Sequence, residues 1–247
     1  MKSRSFRFLL NYKNKTIRNL FFFYNIFFRN FKFLSHSSQF EEDIFLEKYF
    51  RSKSKGKFVD LGCFHPTRHN NTYQLYKRKW SGINIDLNPL SIEMFNFLRP
   101  RDINLNTCLS KKKGYKKLFY SGELSPLNTI DPYHTNFIKK NFKLNEKIFK
   151  IKKIKTENIN GILKKYKFYV IDFLSIDLEG HEYDVLNNFR FDIYKVNLIC
   201  VEMLNHNIKS KKNSSKITNL LKKNNFKLIY STGVNKFFKN NERISSN

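Results

Sequence analysis

The sequence predicts an α/β fold, a mostly parallel sheet with helices on both faces and an antiparallel strand at its end. Three observations carry that reading. From residue 57 onward, short apolar runs alternate with segments of helical periodicity. Runs such as 57–61, 82–86, 173–177 and 196–203 are apolar enough for strands buried on both faces, which is the mark of a covered parallel sheet. Two final runs, 226–231 and 235–239, lie close enough together to pair antiparallel.

The elements follow in order. Residues 57–61 read as a buried strand ending at Gly62. A helix over 71–79 comes next, with Asn71 as N-cap and Gln74 three positions on. The second strand is 82–86, the second helix 91–98 and the third strand 103–109. Residues 111–149 are less regular and read as a hairpin plus a loop holding Pro126 and Pro132. A strand over 151–156 precedes a helix over 157–166. The strand 173–177 closes on Glu179 and Gly180 and leads into a helix over 181–189, then the strand 196–203 and a lysine-rich helix over 209–224. No internal repeat is visible.

Composition narrows the class. In 247 residues, 40% hydrophobic and 17% aromatic content supply a core and exclude global disorder. Eight Gly and five Pro exclude collagen-like chains. Three cysteines, Cys63, Cys108 and Cys200, with no C-x-x-C pair, exclude a disulfide framework and a cysteine-rich zinc site, and fit a reducing compartment. The net charge is +27, from 47 Lys and Arg against 20 Asp and Glu. The chain has no alanine and is rich in Lys, Asn, Ile and Phe, a codon bias that inflates lysine whether or not an anion is bound. Nucleic acid is therefore not the expected partner.

No acidic residue precedes Glu41. Ile17, Leu20, Phe21, Tyr24, Phe28 and Phe31 recur at helical spacing among basic residues, so residues 1–37 read as a basic aromatic helical extension of a domain over 38–247. The longest apolar stretch is well short of the about 20 residues a membrane span needs, and no small-residue cleavage site marks a signal peptide. The helix either packs on a protein surface or lies on an anionic membrane face. The expected location is the cytoplasm, peripheral on the inner membrane face in the second case.

In covered parallel sheets, ligands bind beyond the carboxyl ends of the strands. Four such ends carry an acid: Asp60, Asp86, Asp177 with Glu179, and Glu202. The first turn holds a single glycine, Gly62, followed by Cys63, Phe64, His65 and Pro66, and so lacks the glycine pattern that cradles a pyrophosphate. An adenosine ribose without phosphate suits it better, which points to S-adenosylmethionine. Asp86 would accept the ribose hydroxyls and Asp60 would face the amino-acid end of the cofactor.

Asp60-Leu61-Gly62-Cys63-Phe64-His65-Pro66, Asn71-Thr72-Tyr73, Asp86-Leu87-Asn88-Pro89 and Asp177-Leu178-Glu179-Gly180, in this order and spacing, resemble the FkbM-type methyltransferases. So do Ser38-Gln39 with Asp43, the run 98–105, and Asp184-Val185-Leu186. The resemblance spans roughly residues 38–240. It implies a Rossmann-like class I fold with a seven-stranded sheet and S-adenosylmethionine-dependent methylation, usually of a hydroxyl oxygen and often on a sugar of a glycan. It places Asp60, Gly62 and Asp86 on the cofactor, together with Cys63, Asn71 and Asn88 of the matching motifs as further cofactor-binding residues. Asp177 and Glu179 fall by the sulfonium and the acceptor. Cys63 stands where alanine is usual and His181 where an apolar residue is common.

A sugar hydroxyl needs a base or a metal to become nucleophilic. His65, Glu179, His181 and His206 are the candidate bases, and Asp177, Glu202 and Asn205 form an oxygen-rich set that could hold Mg²⁺. Residues 123–129 could line the acceptor pocket. RNA methylation, and a catalytically lapsed membrane-associated assembly subunit, are the alternatives.

Overall fold

Alternating side chains along the central strands build two cores. Val59, Leu61, Ile83, Ile85, Leu174 and Ile176 face one way and are buried in one apolar cluster. Phe58 and Phe173 face the other way and meet Leu46, Leu75 and Trp80. This period of two, with both faces apolar, is why the strands read as continuous runs.

The computed structural model describes residues 9, 14–122, 125, 127–141, 148–203 and 208–242. Its strands are β1 (Lys57–Leu61), β2 (Ser81–Asp86), β3 (Ile103–Asn106), β4 (Cys108–Leu109), β5 (Gly114–Tyr120), β6 (Lys150–Glu157), β7 (Val170–Ile176), β8 (Lys195–Glu202), β9 (Phe226–Thr232) and β10 (Asn235–Asn240). The helices are α1 (Lys15–Phe23), α2 (Glu42–Tyr49), α3 (Tyr73–Lys77), α4 (Pro89–Leu98), α5 (Pro132–Asn141), α6 (Ile159–Lys165), α7 (Glu182–Asn187) and α8 (Ile208–Lys223). Seven strands form one sheet in the order β3-β2-β1-β7-β8-β10-β9. Its pairs are parallel except those of β10, which runs antiparallel to both neighbours. This is the Rossmann-like methyltransferase arrangement. Strand order reverses between β1 and β7.

Three expectations change. Residues 103–109 are not one strand: β3 ends at Asn106, and β4 belongs to a second sheet of order β4-β6-β5. Among the described residues of 111–149, local antiparallel pairing is limited to one bridge, Phe119↔Thr129, and the main partner of β5 lies further on. β5 pairs antiparallel with β6, some thirty residues on, from Gly114↔Thr156 to Tyr120↔Lys150. Pro132 opens α5, where its missing N–H costs nothing, and Pro126 lies outside the described residues. The cap of α3 is Thr72 rather than Asn71, and Gln74 reaches back to the Ser35 carbonyl at 2.6 Å instead of closing a capping box.

The N-terminal segment packs on α4. Phe21, Phe22 and Ile26 are buried against Leu90 and Met94, and Arg18 pairs with Glu93. No described helix is long and apolar enough to cross a membrane.

Behind the sheet, Arg99 is fully buried. It donates to Asp102 Oδ2 at 2.9 Å, Asn70 Oδ1 at 3.1 Å and Thr72 Oγ1 at 3.0 Å. A buried charge keeps its place only while its partners do. Arg99→Leu leaves buried Asp102 without its counter-charge, with only Gly82 N and Asn84 Nδ2 donating to it, so a loss of about 3–5 kcal/mol is expected in urea unfolding. An unchanged midpoint would show that the network carries no stability.

Candidate active site

A cavity of about 400 Å³ opens at the carboxyl ends of the strands, at the reversal between β1 and β7. Gly62 and Phe64 follow β1, Asp86, Leu87 and Asn88 close β2, Asp177 and Glu179 follow β7, and Glu202 ends β8; all lie on its wall. Thr107, Cys108 and Leu109 complete it from the second sheet.

Backbone geometry at Gly62 sets the floor. Its φ is +82°, and a Cβ there would stand 1.7 Å from the Asp177 carbonyl oxygen. Only glycine allows the two strand ends to approach so closely. Gly62 N donates to Ile85 O and Asp177 N to Leu61 O, each at 2.9 Å, so the three strand ends are tied together.

The Asp86 carboxylate accepts from Phe64 N at 2.8 Å and Asn88 N at 2.7 Å. Burial pushes its pKa up to about 6 in spite of those two donors. Each oxygen keeps a lone pair for another donor. Asn88 caps α4 through Leu90 N at 3.1 Å.

Asp177, Glu179, Glu182 and Glu202 crowd one end of the cavity. Burial raises the Asp177 and Glu202 carboxyls well above the ordinary range, and mutual repulsion adds to it. Each of the two disfavours the other's negative charge, because their oxygens stand close together. Glu182 Oε1 accepts from Leu178 N and Gly180 N, both at 2.9 Å, and so shapes the turn after β7. Asp177, Glu182 and Glu202 place oxygens within 4.8 Å of one another, a spacing a cation could bridge. His206 and Asn205, a candidate base and a candidate ligand, lie outside the described residues.

Several expected site residues stand elsewhere. Asp60 shares the face of Phe58, away from the cavity, and its Oδ2 accepts from Asn70 Nδ2 at 3.1 Å and Thr72 Oγ1 at 2.8 Å. Cys63 is buried against Ile92 and Phe95. Asn71 reaches Ser175 Oγ at 3.5 Å, off the cavity wall. His65 is 1% exposed. Its Nδ1 accepts from Thr67 N and Arg68 N, and Nε2 lies 3.0 Å from Asn25 Oδ1. Since Asn30 already donates to that Asn25 oxygen, Nε2 carries the proton, and burial drives the ring pKa well down. This neutral, enclosed histidine is a brace rather than a base. His181 does reach the cavity, with Nδ1 3.1 Å from Asp184 and Nε2 3.2 Å from Lys116 Nζ.

Glu182, His69 and Cys108 were not singled out as site residues from the sequence. Glu182 had a signal: a carboxylate two residues past a glycine, at a helix start, is placed to accept loop N–H groups.

The FkbM methyltransferase domain model matches residues 60–228, well over half of the chain. The chain belongs to that family. Membership makes it a methyltransferase, with S-adenosylmethionine as the implied methyl donor. No match was found among curated proteins. Among solved structures, the crystal structure of small RNA methyltransferase HEN1 is similar, at 11% identity and a TM-score of 0.39. The likeness covers 85% of this chain and 28% of that one, so the FkbM-family chain spans less than a third of the HEN1 chain.

The residues present fit the donor. Ile85, Leu87, Cys108 and Leu109 give apolar walls beside the Asp86 carboxylate, and the single-glycine turn offers no phosphate cradle. For the linkage, Asp86 titrates near 3.8 when unfolded and about 6 when folded. Its protonated form stabilises the fold, so its contribution is full below about pH 4 and is lost as pH rises through 6. Asp86→Asn removes that loss, and should gain urea stability relative to wild type between pH 4 and 7.5. Parallel pH profiles would contradict it.

Proposed function

We propose that this methyltransferase alkylates a hydroxyl oxygen, on a sugar of a glycan or glycoconjugate. The close pair of carboxyls, Asp177 and Glu202, on the cavity wall carries the reading. A carboxylate raised toward neutrality can take a hydroxyl proton as the oxygen attacks, which an ordinary surface carboxylate does poorly.

Bound in the cavity, S-adenosylmethionine supplies a methyl group activated by a sulfonium. Asp86 would hold the ribose hydroxyls through its free lone pairs, while Phe64 N and Asn88 N fix the carboxylate in place. The acidic end formed by Asp177, Glu179 and Glu202 attracts the sulfonium charge and orients the acceptor hydroxyl. Asp177 then accepts the hydroxyl proton, with Glu202 steadying it. Holding oxygen and methyl in line supplies much of the rate. Ser125 and Asn128 on the same wall bond to Ser121 and Gly122 and so shape the turn beside the acceptor end. The acidic set also allows a route through Mg²⁺ held by Asp177 and Glu202. The carboxylate route is preferred because burial already lifts both carboxyls in the direction a general base needs.

Three measurements test this. Asp86→Ala should weaken donor binding in calorimetry by about 1–3 kcal/mol, and unchanged affinity removes Asp86 from the ribose. Asp177→Asn should lower turnover by about 10²–10⁴-fold at saturating donor, a loss in kcat rather than only in donor affinity. Radiolabelled donor incubated with a glycan panel and with RNA, each with and without chelator, should label glycan regardless of chelator. Label on RNA alone, or loss of labelling with EDTA, overturns the acceptor or the base.

A further inference from the structure

The N-terminal segment has two faces, and only one is used by the fold. Phe21, Phe22 and Ile26 are spent against α4. On the other side, Leu20, Phe23, Phe28 and Phe31 are 58, 49, 62 and 66% exposed. The Phe23 ring lies 5.1 Å from that of Phe27 and 5.6 Å from that of Phe28, so the apolar patch is continuous there. Lone exposed apolar residues are ordinary; several large ones on one short segment mark a contact surface. Lys15, Arg29 and Lys32 are exposed around them, and the first forty residues contain no Asp or Glu.

We propose that this face docks on an anionic lipid bilayer surface, with the aromatic rings in the headgroup boundary and the basic side chains on lipid phosphates. Ring burial and Coulomb attraction act together in such helices, and neither suffices alone. Charge decides against a second copy as the occupant, because two such faces would bring like charges together. The segment is firmly joined to the cavity wall. Phe33 meets the His69 ring at 5.1 Å, and His69 and Gln39 line the cavity. Asn25 braces His65 in the loop after β1. The docked protein therefore holds its cavity close to the membrane. This proposal is independent of the acceptor.

Sedimentation of the full chain with phosphatidylcholine vesicles, with and without phosphatidylglycerol, tests it. Wild type should pellet with the anionic vesicles. Phe28→Ser/Phe31→Ser should bind about tenfold more weakly or worse, although every lysine remains. Calorimetry with S-adenosylmethionine, unchanged in that variant, shows the fold is kept. In a separate Phe31→Trp variant, indole emission should shift blue on vesicle addition, against the fixed background of fully buried Trp80. Equal pelleting of wild type and the double variant overturns the proposal in favour of general adsorption by lysines. Failure of wild type to pellet overturns it outright. A dimer that the double substitution splits assigns the face to a second copy instead.

Discussion

Everything at the active end depends on how closely β1 and β7 approach. With Gly62 in a left-handed conformation and no Cβ, the Asp177 carbonyl can sit where a side chain would otherwise stand. Two main-chain hydrogen bonds then clamp the ends of β1, β2 and β7. That clamp aims Asp86 and Asp177 into one cavity from separate strands. It also leaves little freedom for either, which is what a group that must meet a reacting atom requires.

The acidic end of the cavity is unusual in a chain of net charge +27. The lysine coat is solvated and screened, whereas Asp177, Glu182 and Glu202 bring their oxygens within 4.8 Å of one another at one end of the cavity. Local environment, not global charge, sets their chemistry. Glu182 is quieted by two backbone donors, which leaves Asp177 and Glu202 as the carboxyls of this set on the cavity wall.

The sheet was legible because its strands are apolar on both faces and end on acids or glycine. Asp86, Asp177, Glu179 and Glu202 reached the cavity as their strand-end positions suggested. Asp60 did not, because it follows Phe58 by two residues and so points to the opposite core. Nothing local distinguishes those faces when both are buried. His65 looked like a base by residue type, but its role was fixed by Asn25, forty residues upstream. The β5–β6 pairing was hidden for a similar reason, since α5 and the residues around it separate partners that a local pattern would join to nearer neighbours.

Cys108 stands on the cavity wall, and burial lifts its thiol to about 11. A cavity built for an alkylating sulfonium is a hazardous place for sulfur, because thiolates capture electrophiles readily. Kept protonated at neutral pH, Cys108 is a soft apolar surface and a poor competitor for the methyl group.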